Sequence, residues 1–334
     1  MRPVGRAANL DGMTPLVIRS AQDAIAAVPY LLGFHPSRSL VVIGFEGRAR
    51  GTCAIRLDLP AAGAAGKVAA LLAGNGFARS LVLGYGPPGE VGESAAAMRA
   101  ALESAGVPAA EAIRVADGRW WSLTCDDDCC PAEGTPYDIS ASVLAAQATY
   151  AGHVALADRA ELVRSVQPLD GLARTAMRDA TERAERRPGP APGEGLAFVL
   201  ALLARAGTGA APTDEEVARL GILLTDLRIR DEAWIRIDED APAADIAFWR
   251  DVLRRVEAPY VPAPASLLAF AAYSAGDGGL ANVALERALD TDPAYSMAIL
   301  LREVINAGIP PSKVRLHMTP DQLAAAYQDE QEAS

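Results

Sequence analysis

Up to Pro136 the chain alternates short β-branched apolar runs with stretches of small residues, and beyond Pro136 no strand pattern recurs. A switch of that kind confines the sheet to one half of the molecule and leaves the other half to helices. Leu40-Val41-Val42-Ile43-Gly44-Phe45 is a continuous apolar run, as a strand covered on both faces requires. Thr52 to Leu59 alternates and follows the turn at Glu46 to Gly51, which predicts an antiparallel hairpin partner stopped at Pro60. Residues 80–84 and 112–116 read as further strands. Asp117-Gly118 is a two-residue hairpin signal that returns the chain along Arg119 to Leu123. Between these runs lie helical stretches over 20–33 (interrupted at Pro29), 62–73 and 94–105. The fold expected is α/β, a mixed sheet with flanking helices, plus an all-α C-terminal domain.

At 334 residues the chain is too long for one small core. The strand-bearing part, 14–157, reads as one domain. Residues 158–193 read as a helical connector ending in the linker Arg187-Pro188-Gly189-Pro190-Ala191-Pro192-Gly193, and 194–325 as the helical domain. Two capping boxes mark helix starts: Asp158 with Glu161, and Thr213 with Glu216. Phe248, Trp249, Val252, Leu253 and Val256 share one face at helical spacing. Near the end, Leu268, Ala281, Leu285, Ala288 and Pro293 match tetratricopeptide spacing around Gly276-Asp277-Gly278. The Trp and Tyr of that pattern are missing, and Ala269 replaces its Gly. One such unit serves as a helical cap as readily as a peptide groove.

A net charge of −11, with no Lys/Arg run longer than a pair, argues against nucleic acid and anionic membrane as partners. No apolar segment approaches a membrane span, and no signal-like apolar stretch follows the start, so a cytoplasmic location is expected. In a reducing compartment the four cysteines are thiols or metal ligands rather than a disulfide frame.

Three segments could carry chemistry. Cys125, Cys129 and Cys130 fall within six residues, a reach that suits zinc if Asp126, Asp128, Glu133, His35 or His153 adds a fourth ligand. The competing reading is a turn with structural thiols, because the adjacent aspartates disfavour an activated thiolate. Gly84, Gly86 and Gly89 match the spacing of a dinucleotide-binding loop, with Asp117 where a ribose acid would stand. Pro87 and Pro88 lack the N–H groups such a loop presents to phosphate, and Asp117 is as well explained by its turn. The polar loop Phe34-His35-Pro36-Ser37-Arg38-Ser39 offers a histidine and an arginine for an anion or for proton transfer, against a reading as plain strand entry. Trp121, Glu133 and Tyr137 join His35 and Arg38 as ligand-contact candidates.

Ala26-Ala27-Val28-Pro29-Tyr30-Leu31-Leu32-Gly33-Phe34-His35-Pro36, followed by Ser39-Leu40-Val41-Val42, resembles the opening of an actinobacterial family, domain of unknown function 4192. Trp121 to Cys125, Cys129-Cys130-Pro131 and Gly134-Thr135-Pro136-Tyr137 resemble its central signature. Leu267 to Arg287, with Asp292-Pro293 and Tyr295, resembles its C-terminal part. The resemblance covers about 15–310 and implies no activity. The function expected is therefore a non-catalytic binding or regulatory protein. Its helical half would dock a protein partner, and its α/β half would hold a small ligand or metal. One alternative is a hydrolase or transferase at the strand ends, which requires His35, Arg38, Cys125, Asp126 and Glu133 to line one pocket. The other is nucleotide binding at Gly84 to Gly89.

Overall fold

The computed structural model describes residues 18–332 except 49–50, 126–129, 140–141, 151–153, 192 and 316–317, with side chains described to 327. The chain divides into two compact units, 1–162 and 163–334.

The first unit is a six-stranded sheet with helices on both faces. Its strands are β1 (Ser39–Gly47), β2 (Cys53–Asp58), β3 (Phe77–Tyr85), β4 (Ala109–Ala116), β5 (Arg119–Ser122) and β6 (Thr135–Pro136), in the order β2-β1-β3-β4-β5-β6. Only the β3–β4 pair is parallel. β1 lies inside the sheet, and Leu40 to Phe45 are all buried, which explains its unbroken apolar run. Helices α2 (Ala65–Gly74) and α3 (Pro88–Ser104) cover one face over Leu40, Val42, Val82 and Ala112. Alternation along the strands sends Leu81, Leu83 and Ile113 to the other face. There they line a small cavity with Ile18, Ala21 and Ala24 beneath α1 (Ala21–Leu32). Helix α4 (Val143–Tyr150) packs against α1.

Two local expectations change. Helix α1 runs through Pro29 to Leu32, closed by Gly33 at φ 79°. The proline forfeits one hydrogen bond near the helix end, where few remain to be lost. Helix α3 begins at Pro88, six residues earlier than Ser94. Proline is well suited to a first turn, where its missing N–H would have no partner in any case.

The division between units falls in α5 (Arg159–Arg164). The second unit continues with α6 (Gly171–Glu185), α7 (Glu194–Ala206), α8 (Asp214–Leu223), α9 (Leu227–Trp234), α10 (Ala243–Arg255), α11 (Pro262–Ser274), α12 (Gly278–Thr291), α13 (Ser296–Asn306) and α14 (Pro320–Glu332). Helix α6, read from sequence as connector, packs against α8. The Thr213–Glu216 capping box forms in full, and the Asp158–Glu161 one only by half. Glu216 N–H donates to Thr213 Oγ1 while Thr213 N–H donates to the Glu216 carboxylate. Glu161 N–H donates to Asp158 Oδ1, but the Glu161 carboxylate reaches one residue further back, to Ala157 N–H.

The tetratricopeptide-like hairpin forms as two helices, α11 and α12, without the repeat's character. Every residue of α11 from Pro262 to Tyr273 is buried, and α10, α12 and α13 all pack on it. In a repeat groove the first helix of each pair keeps one face open. Here an Ala-rich helix lets neighbours approach on all sides and becomes the centre of the core. No described helix is long and apolar enough to cross a membrane.

Candidate functional site

The carboxyl ends of β3 and β4 gather the loop before β1, the β3–α3 turn, the β4–β5 turn and Tyr137 at one end of the strands. In open α/β sheets ligands bind outside such strand ends. The register shows how the sequence builds it. Asp117 and Gly118, both at positive φ (50° and 71°), make the two-residue turn expected, with Ala116 opposite Arg119. Counting back two residues on each strand puts Arg114 opposite Trp121 on the face of α3. The Arg114 guanidinium carbon lies 3.7 Å from the Trp121 ring centre, and Arg114 donates to the Gly86 carbonyl at 3.2 Å. That bond ties β4 to the glycine turn.

The other side of Trp121 is closed by Gly134. Trp121 Nε1 donates to the Ala132 carbonyl at 3.0 Å, and Arg119 donates to the Gly134 carbonyl at 2.8 Å. The Tyr137 N–H donates to Gly118 at 3.1 Å. The Trp121-to-Tyr137 segment is thus a strand return fastened by its own side chains. Glu133 is exposed, and its carbonyl, 3.4 Å from Arg119 Nη1, accepts a hydrogen bond.

Gly84, Gly86 and Gly89 have separate roles. Gly84 lies in β3 directly beneath Val91 of α3, so close that a Cβ would fall 2.2 Å from Val91 Cγ1. Gly86, at φ 149°, makes the turn, while Gly89 has open space around it. The connection from β3 to α3 is two residues, shorter than the gap between residues 84 and 94 that separates strand and helix in the sequence pattern. Glu90 in the first turn of α3 brings a carboxylate to the helix N-terminus, a place an anion favours. Arg38 clamps both oxygens of that carboxylate at 2.8 Å. Arg38 itself sits at φ 40°, a strained value for a non-glycine residue, and its carbonyl accepts from Leu59 N–H at 3.0 Å. His35 is exposed, and its backbone N–H donates to Leu156.

Tyr85 lies between Gly84 and Gly86, and its side chain points to the face opposite α3. Its hydroxyl is buried and hydrogen-bonds to no described group. Burial, with Tyr137 nearby, pushes its pKa well above the usual phenol range. Burial also raises Tyr137. Sequence reasoning passed over Tyr85, Glu90 and Arg114. Arg114 was within reach by counting from the Asp117-Gly118 turn; Tyr85 carries no sequence signal of its own.

Cys125 lies elsewhere. Leu123 N–H donates to the Ala112 carbonyl, so Cys125 follows at the opposite end of β5 from Tyr137. Its N–H donates to Ser122 Oγ. Tyr85 pairs with Val115, three residues along β4 from Ala112, which is about 10 Å of strand. His35 and Arg38 therefore do not converge with Cys125 in one pocket. Cys129, Asp126, Asp128 and His153 lie outside the described residues. Among the described residues no group of three or more His, Cys, Asp or Glu side chains is placed to hold a metal ion.

No curated protein and no solved structure matches this chain. One family model does, over residues 22–312, taking in the opening motif, the Trp121–Tyr137 return and the α11–α12 hairpin. The chain belongs to the family described as Domain of unknown function (DUF4192).

Proposed function

We propose that the first unit is a non-catalytic binding module. A small ligand would sit at the carboxyl ends of β3 and β4 and accept a hydrogen bond from Tyr85. The observation that carries this is the buried, unpartnered hydroxyl of Tyr85, the last residue of β3 before the Gly86 turn. Leaving such a group unpaired costs about 1–3 kcal/mol, so its retention favours a partner that arrives from outside the chain. The strained, clamped Arg38 next to Gly86 supports the same strand ends, since strained backbone gathers at ligand sites. Tyr137 lies near the hydroxyl and Arg38 near Gly86, while Trp121 sits on the other face of the sheet.

The enzyme alternative is weaker, because it needs Cys125 at the same pocket as His35 and Arg38. Nucleotide binding at Gly84 to Gly89 is weaker too. Pro87 and Pro88 donate nothing, and the Glu90 carboxylate occupies the helix end where a phosphate would stand.

The test is Tyr85→Phe. It removes the unpaired group and keeps the ring, so the ligand-free variant is expected to be more stable than the parent by about 1 kcal/mol in urea unfolding. The same variant should lose the thermal stabilisation that a binding small molecule gives the parent. A loss of stability in the ligand-free variant would mean that the hydroxyl already has a partner, and the reading would fail.

A further inference from the structure

We propose that the helical unit carries a second, separate site: an oxyanion of the phosphate type bound by Arg174, Arg254 and Arg287 where α6, α10 and α12 meet the segment 166–169. The chain is acidic overall, at −11, yet these guanidinium groups gather with few carboxylates to match them. Arg287 on α12 is only 9% exposed and donates Nη1 to the Val166 carbonyl. Arg254 on α10 donates Nε to the Gln167 carbonyl at 3.3 Å, and its backbone carbonyl accepts from Leu169 N–H at 2.9 Å. The segment 166–169 is thereby strung across both helices and runs into α6, whose first turn carries Arg174 close enough to Arg287 to repel its charge.

The charges are unbalanced there. Among the described residues neither Arg254 nor Arg287 bonds to a carboxylate. Arg174 has one, Glu257, at 3.8 Å. Arg250, one turn before Arg254, has a buried Nε with no hydrogen-bond partner; Asp277 attracts its charge and Arg254 repels it. Arg287 shows the consequence: burial first, then repulsion from Arg174 and Arg254, push its pKa down to about 10. A guanidinium offers five N–H donors in a rigid fork, and a backbone carbonyl uses one or two of them. The remaining donors and the surplus charge suit a tetrahedral oxyanion, which accepts from several arginines at once.

The probes are inorganic phosphate and pyrophosphate, added to the full chain at an ionic strength held constant with chloride. A saturable rise in unfolding temperature and a titration heat are expected. Arg254→Gln and Arg174→Gln should each weaken binding by about tenfold or more, the loss of one charge-assisted contact. Arg174→Gln touches only a half-exposed side chain, so a folded variant is available even if Arg254→Gln loosens the 166–169 segment. Tyr85→Phe should bind phosphate like the parent, which keeps this site independent of the strand-end reading. No rise beyond chloride, or unchanged binding in both arginine variants, would overturn the proposal and leave these arginines as tethers of the segment.

Discussion

Trp121 lies flat against Gly134, so close that a Cβ on the glycine would stand 2.4 Å from the indole Cε2. Gly134 also holds a positive φ of 79°. Contact and conformation together make this glycine the fastening of the Trp121-to-Tyr137 return.

Gly134→Ala should therefore destabilise the protein by about 2–4 kcal/mol, combining left-handed backbone strain with an overpacked ring. Urea unfolding measures the loss. The folded variant should show altered Trp121 emission as the indole shifts off the Arg114 guanidinium.

Gly84 meets Val91 in the same way across the β3–α3 contact. Gly84→Ala is expected to cost about 1–3 kcal/mol by overpacking. Val91→Ala leaves a cavity at the same spot, so the double variant should be more stable than the sum of the two single losses predicts. A double-mutant cycle with purely additive losses would contradict the contact.

Cys53 gives a pH dependence. Burial pushes its thiol up from 9.0 to about 11. Its folded pKa lies above its unfolded one, so between those values the folded chain keeps a proton that the unfolded chain releases. The contribution is fully present below about pH 9 and is lost as pH rises through about 11. Stability measured across that window should fall less in Cys53→Ala than in the parent. At pH 8 a thiol reagent should label Cys53 in the folded protein far more slowly than in urea.

Thr213 opens α8 with both halves of a capping box. Thr213→Ala should cost about 1 kcal/mol, and Thr213→Ser much less, because serine keeps the hydroxyl that accepts from Glu216 N–H. The comparison of the two variants by denaturant unfolding separates the cap from side-chain packing.

Local signals were legible because they act over a few residues. The Asp117-Gly118 turn set the β4–β5 register and so the Arg114–Trp121 pair. The capping residues Asp158 and Thr213 marked their helices, and the apolar run at Leu40 to Phe45 announced a strand buried on both sides. Pro88 misled, since a proline pair reads as a break when it can equally start a helix. The Leu268-to-Pro293 spacing fits two readings. It encodes close helix packing, and close packing suits the centre of a core as well as a repeat groove.

The sequence by itself determined the division into a mixed α/β part and a helical part, the hairpin turns, the capped helix starts and the strands. These follow from φ preferences, hydrogen-bond satisfaction and the periods of 2 and 3.6 residues. Only the tertiary structure decided which side chains meet. It placed Tyr85 with its hydroxyl unpartnered at the end of an inner strand, joined Arg38 to Glu90 across 52 residues, drew Arg287 to Val166 across 121, and set Cys125 past the end of β5 opposite Tyr137. Such meetings depend on strand order and helix placement, which are global solutions to burying apolar surface and leave no short-range mark in the chain.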